Sequence, residues 1–234
     1  MSNDPTQTSA PDDPSSRNAA DEGSPAAKIL EAIPPPSADV LDKYPWRNPA
    51  QWVVWSERHI SGRTHSFEHL LPFDMALTRP AKGKYPELSI DIRVVFDCHV
   101  VTESFNPLAH MNPPPEETWR DAGNRLRVFH TDRYQLSMEL PTMIRGMVAD
   151  GNNPRCFEAN RKNFMVLERR GQPPSTEYYH VFFDLYRSPR IQGNSSRLIM
   201  YIQSAYIKDV PLQKRRTDST LFAAVCAKKM GIYS

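Results

Sequence analysis

Two places in the chain bring together side chains that could move a proton or hold an anion. In the run from Ile90 to Val101, the positions Asp91, Arg93, Val95, Asp97, His99 and Val101 alternate with the apolar row Ile90, Ile92, Val94, Phe96, Cys98 and Val100. A period of two puts Asp97 and His99 on one strand face, where the carboxylate could orient and charge the imidazole for acid/base work. The same alternation also describes a polar outer face. Cys98 points the other way and reads as a core thiol. The second place is the segment Arg127 to Ser137, which sets His130, Arg133, Tyr134 and Ser137 at a strand-to-helix junction. Free backbone N–H groups there favour an anion, with Arg133 and Ser137 four apart on one helical face. Helix capping with a surface ion pair accounts for the same residues.

Further along, Tyr179, Val181, Phe183 and Leu185 form an apolar row, leaving Tyr178, His180, Phe182, Asp184 and Tyr186 opposite. Aromatics interleaved with His180 on an open sheet face could stack bases, while neighbours such as Arg169, Arg170, Arg187 and Arg197 hold phosphates. Cross-strand packing explains the aromatics as well. In the last long run, Leu198, Met200, Ile202, Ser204 and Tyr206 oppose Ile199, Tyr201, Gln203, Ala205 and Ile207, the pattern of a central strand covered on both faces. Ser204 and Tyr206 then need hydrogen-bond partners. No glycine-rich phosphate loop, His-Glu-x-x-His pair or nucleophile elbow is present, which argues against nucleotide hydrolases, zinc peptidases and α/β hydrolases. The three cysteines are far apart and show no paired spacing, so neither a disulfide framework nor a metal is expected, and no cofactor is implied.

The elements that must position these groups follow from periodicity. One strand is expected from Ser66, with Phe67, His69, Leu71, Phe73, Met75 and Leu77 on one side, and the Ile90 run makes a hairpin with it. Asn106 to Gly123, with its three consecutive prolines, reads as a loop. A strand from Arg125 to His130 leads into a helix marked by Leu136, Leu140, Met143, Ile144, Met147 and Val148 and stopped at Asp150-Gly151. Pro141 either ends a first turn or sits in the first turn of the main helix. Strands over Arg155–Glu158, Asn163–Arg169, Glu177–Arg187 and Arg197–Ile207 make an antiparallel meander. A terminal helix spans Asp218–Lys229, with Leu221, Phe222, Val225 and Met230 docking on the sheet. The expected fold class is α+β: a hairpin plus a four-stranded meander, packed with one main helix and a short C-terminal helix.

Residues 1–40 are rich in Ser, Pro, Asp and Asn and carry seven acids against two bases, a net −5. They read as a disordered arm ahead of a single domain over 41–234. Residues 151–234 hold fourteen Lys and Arg against six Asp and Glu, a net +8, which suits an anionic partner. The acidic arm could fold over that basic surface, or serve only to solubilise. No apolar stretch is long enough for a membrane helix and no secretion signal is evident, so a cytoplasmic protein is expected.

The stretch from Ile92 to Ile207 resembles an uncharacterised bacterial family labelled as stress or stationary-phase adaptation proteins. The likeness is carried by Phe96-Asp97-Cys98-His99, by Arg133-Tyr134 with Ser137 and Leu140-Pro141, by Asn163-Phe164, by Tyr179 to Phe183 and by Leu198 to Tyr206. A helix followed by a meander closing on Ser204-Ala205-Tyr206 also looks like the barnase, EndoU, colicin and RelE-type endoribonuclease fold. That second resemblance implies an RNA-directed protein of toxin or phage-defence type, cleaving RNA without a metal. His99 or His130 would then move protons, Arg133 would hold the phosphate, and Tyr134 or Tyr206 would assist. The alternative is a non-catalytic module that binds nucleic acid, or a protein partner through an edge strand.

Overall fold

The computed structural model describes residues 47–48, 52–83, 86–149, 151–158, 165–170, 178–188, 196–208 and 219–232. The chain opens with a small hairpin, β1 (Arg58–Ile60) and β2 (Arg63–His65), and a 3-10 turn at Glu68–Leu70. Strand β3 (Phe73–Arg79) then pairs antiparallel with β4 (Leu88–Phe96). The expected strand from Ser66 thus begins seven residues late, because the 3-10 turn and Pro72, which lacks an N–H, interrupt the ladder. The partner strand ends early, at Phe96. Asp97 there caps a second 3-10 turn, Cys98–Val100, by accepting the His99 N–H, so Cys98 and His99 lie beyond the strand on which the alternation put them.

A second sheet follows: β5 (Thr102–Ser104), a 3-10 turn at Pro115–Glu117, β6 (Thr118–Arg120) and β7 (Leu126–Phe129), with β7 in the middle. The segment expected as a loop over 106–123 therefore contains a strand, β6. Helix α1 (Thr131–Ser137) and helix α2 (Leu140–Gly146) form one bent helix, with Pro141 in the first turn of α2, where its missing N–H costs no hydrogen bond. The meander is as expected: β8 (Arg155–Glu158), β9 (Met165–Arg170), β10 (Tyr178–Arg187) and β11 (Leu198–Lys208). A short edge strand β12 (Ser219–Leu221) leads into α3 (Phe222–Met230). Gly231, in the left-handed region at φ 75°, ends α3, and the Ile232 N–H returns to the Ala227 carbonyl. Phe222 and Val225 dock on the sheet, but Leu221, on β12, is exposed.

Hairpin and meander are one sheet. β11 pairs in parallel with β4, Leu198 opposite Ile92, giving a seven-stranded order β12-β8-β9-β10-β11-β4-β3 with β3 and β12 at the edges. One face carries the main core, including Ile92, Val94, Phe96, Phe183, Met200 and Ile202, covered by α1, α2 and α3. The other face holds a smaller cluster of Trp52, Val95, Ile199 and Tyr201 with Tyr186 packed against it.

The β10–β11 register shifts between Phe182 and Phe183: Phe183 faces Ile202, while Phe182 faces Ser204, so Gln203 is an extra residue. The bulge moves Ser204 and Tyr206 off the Ile202 row, where unbroken alternation put them, onto the face shared by His180 and Phe182. No helix among the described residues is long and apolar enough to cross a membrane.

Candidate functional site

The end of β11 beyond the bulge, the turn after β4 and the start of α1 meet at one corner. The Asp97 N–H still bonds the Ile202 carbonyl at 2.9 Å, and past that point β4 turns away from β11. His99 sits in the opening. Its Nε2 is 3.1 Å from Asp121 Oδ2, and its Nδ1 is 3.5 Å from Asp97 Oδ1. Asp121 lies in the turn between β6 and β7, where it also accepts the Gly123 and Arg125 backbone N–H groups at 2.9 Å and the Arg125 Nε at 2.8 Å. Burial alone would raise the Asp121 carboxyl; the Arg125 backbone and guanidinium, with His99, hold it below the ordinary value. Behind Asp97, the buried Tyr201 hydroxyl donates to its Oδ2, and the Tyr201 phenol is pushed well up by burial and by that carboxylate. Tyr201, Asp97, His99, Asp121 and Arg125 thus form one continuous polar chain from the sheet interior to the surface.

Arg133, on the first turn of α1, reaches back across this corner. Its Nη1 donates to the His99 carbonyl at 3.1 Å and to the Thr102 carbonyl at 2.8 Å, and its guanidinium carbon lies 5.3 Å from the centre of the Tyr206 ring. Burial lowers its pKa, with Glu103, Tyr206 and Tyr179 acting in the opposite sense. Tyr206 stacks on Phe182 with ring centres 5.3 Å apart and planes 16° from parallel, and Lys208 Nζ lies 5.6 Å from the same Tyr206 ring. Both rings are partly exposed.

The structure gathers His99, Arg133 and Tyr206, with His130 beside them. The His130 ring caps α1, its Nδ1 accepting the Arg133 N–H at 3.4 Å, so in the neutral ring the proton is on Nε2. Tyr134 turns away; its hydroxyl donates to the Ser66 carbonyl at 3.0 Å, and its ring joins His65, Phe67 and Phe129.

The expected nucleic-acid residues fare differently. Ser137 is fully buried and tied to His69 Nε2 at 2.7 Å and to the Tyr134 carbonyl, and His180 is only 2% exposed, so neither can face a polynucleotide. Arg187 is exposed, whereas Arg197 lies 3.6 Å from Asp74 Oδ1. The side chains of Arg169 and Arg170 lie outside the described residues, as do Arg161, Lys162, Arg190 and Lys214 to Arg216. Sequence reasoning missed Lys208, Asp121 and Tyr201. Lys208 ends a strand whose phase the bulge reverses, and Asp121 lies in a stretch read as loop.

No curated protein and no solved structure matches this chain. A family model does, over residues 57–230, a span that includes the corner, the stacked rings and the stretch on which the sequence resemblance rests. With that model covering most of its length, the chain belongs to the YjaZ family.

Proposed function

We propose that this protein is an RNA-directed binding module that seats a single strand at the β10–β11 end of the sheet. The observation that carries this reading is the stacked pair Phe182–Tyr206, with Arg133 and Lys208 on the Tyr206 ring. A partly exposed aromatic pair offers a π-face to any base, and cations beside it offer partners to the flanking phosphates. Arg133 suits the role because Nη1 is held by two carbonyls, which fixes the guanidinium plane, while its Nε and Nη2 make no hydrogen bond with the described residues.

Binding of a fluorescent single-stranded RNA dodecamer, followed by anisotropy across a salt series, tests the reading. Affinity should fall steeply with salt, and Tyr206→Ala should weaken binding by the ~1–3 kcal/mol that a stacked base contributes. No binding at low salt by the folded protein disposes of it.

Metal-independent cleavage is the second reading, favoured by the meeting of the His99 turn, the His130 cap and the Arg133 guanidinium at the start of α1. A base would take the 2′-hydroxyl proton as the 2′-oxygen attacks phosphorus, the 5′-oxygen would leave with a proton from an acid, and a cyclic phosphate would remain. Arg133 would stabilise the phosphorane, and His130 Nε2–H or the Tyr206 hydroxyl would supply the proton. His99, whose ring nitrogens lie 3.1 Å and 3.5 Å from the Asp121 and Asp97 carboxylates, would in its neutral form take the 2′-hydroxyl proton. Discrete cleavage of cellular RNA in EDTA, absent from a folded His130→Ala, Arg133→Ala variant, is the result this reading requires.

A further inference from the structure

The segment ahead of the described domain is acidic: residues 1–46 carry eight Asp and Glu against three Lys and Arg, a net −5. It joins the domain at Arg47, which is anchored to β10. Arg47 Nη2 lies 3.3 Å from Asp184 Oδ2, and its guanidinium carbon lies 5.1 Å from the centre of the Tyr186 ring. Trp52 continues along the same face, packing with Val95, Ile199, Tyr201 and Tyr186. Asp184 and Tyr186 alternate with Phe182 along one strand, so all three share a sheet face. Two residues of strand rise only about 7 Å. The acidic segment therefore enters the domain on the face that carries the Phe182–Tyr206 stack, with Lys208 opposite Tyr178, six residues of strand or roughly 20 Å from Asp184.

We infer that residues 1–46 dock through their carboxylates on Arg133 and Lys208 and compete there with RNA. Only the competition rests on the RNA reading; the contact itself does not. Reach is sufficient, since an extended chain covers about 3.3 Å per residue, so the eight residues from Asp39 to Arg47 span roughly 26 Å. Tethering raises the local carboxylate concentration to the millimolar range, enough for weak ion pairs to hold at modest salt. Among the described residues, two acids on this side of the sheet already have partners: Asp184 has Arg47, and Glu103, which acts on Arg133, has His110 Nε2 at 3.0 Å. The segment supplies charge without bases to stack, so a single strand long enough to use both the cations and the rings displaces it.

The full chain carries its own test, because Cys98, Cys156 and Cys226 are all buried and a spin label on Ser15→Cys is selective. The label should broaden the amide resonances of Phe182, Tyr206 and Lys208 at low salt. Broadening should vanish at 0.5 M salt (about a 4 Å screening length) and in a full-length variant with Asp12→Asn, Asp13→Asn, Asp21→Asn and Glu22→Gln. A dodecamer of uridylate should also abolish it, and the neutralised variant should bind that RNA several-fold more tightly. No broadening at low salt overturns the docking, whatever the RNA affinity. Broadening that RNA neither relieves nor competes with upholds the docking and removes the RNA reading.

Discussion

His99 is held between two carboxylates, Asp97 at one ring nitrogen and Asp121 at the other, and so ties the turn after β4 to the turn between β6 and β7. This imidazole adds a polar link to the apolar packing of Trp119 and Phe129 against the core of the large sheet. Its side chain is only 19% exposed, which keeps water from replacing either contact.

Replacing His99 should therefore cost stability before it costs anything else. His99→Ala takes one donor from each carboxylate, leaving Asp97 with the His99 backbone N–H and the Tyr201 hydroxyl and Asp121 with Gly123 and Arg125, and should lower unfolding free energy by about 1 kcal/mol, the net worth of a hydrogen bond. Urea denaturation followed by tryptophan fluorescence measures it. An unchanged midpoint would show that the contacts contribute nothing.

Asp121 gives the pH dependence a sign. Its folded pKa lies below the unfolded value, so the stability it contributes is present above about pH 4 and is lost as pH falls through the folded value. Stability measured from pH 6 down to pH 3 should decline, and Asp121→Asn should flatten that decline while lowering the plateau. A parallel decline in both proteins would locate the acid sensitivity elsewhere.

Tyr201 and Asp97 should act as a unit. Tyr201→Phe removes the donor to a buried carboxylate oxygen and Asp97→Asn removes the charge, each with a predicted loss of about 1–3 kcal/mol. The double variant should lose clearly less than the sum of the two, since the second change has little left to break. Full additivity in the cycle would mean the hydroxyl and carboxylate are not coupled.

If the proposed RNA seat is correct, Lys208→Ala and Arg133→Ala differ in kind. Lys208 sits exposed at the strand end, and its loss should reduce the slope of log affinity against log salt by about one while leaving the melting temperature unchanged. Arg133 also holds the His99 and Thr102 carbonyls, so its replacement should lower both affinity and thermal stability. Equal melting temperatures for the two variants would contradict that second duty.

The strands and the bent helix were legible because their periods are local: Ile90 to Phe96 alternate, and Leu140, Ile144 and Met147 recur at three and four residues and are all buried. What was not legible depends on distant partners. Gln203 carries no mark of a bulge, yet it decides which face Tyr206 takes, because the extra residue appears only when β11 is laid against β10. His99 reads as a strand residue until Asp97 is seen to cap a turn. The 106–123 stretch, dominated by prolines, conceals β6 because a three-residue strand has too few positions to show a period.

The parallel pairing of Ile92 with Leu198 joins strands separated by more than a hundred residues of chain. During synthesis β4 and its hairpin emerge long before β11 exists, so one edge of β4 stays open until about a hundred further residues have left the ribosome. Closing so long a loop before any reward from pairing makes this the slow step of folding. An unfinished chain, holding an apolar strand with a free edge, is then the species most prone to aggregate.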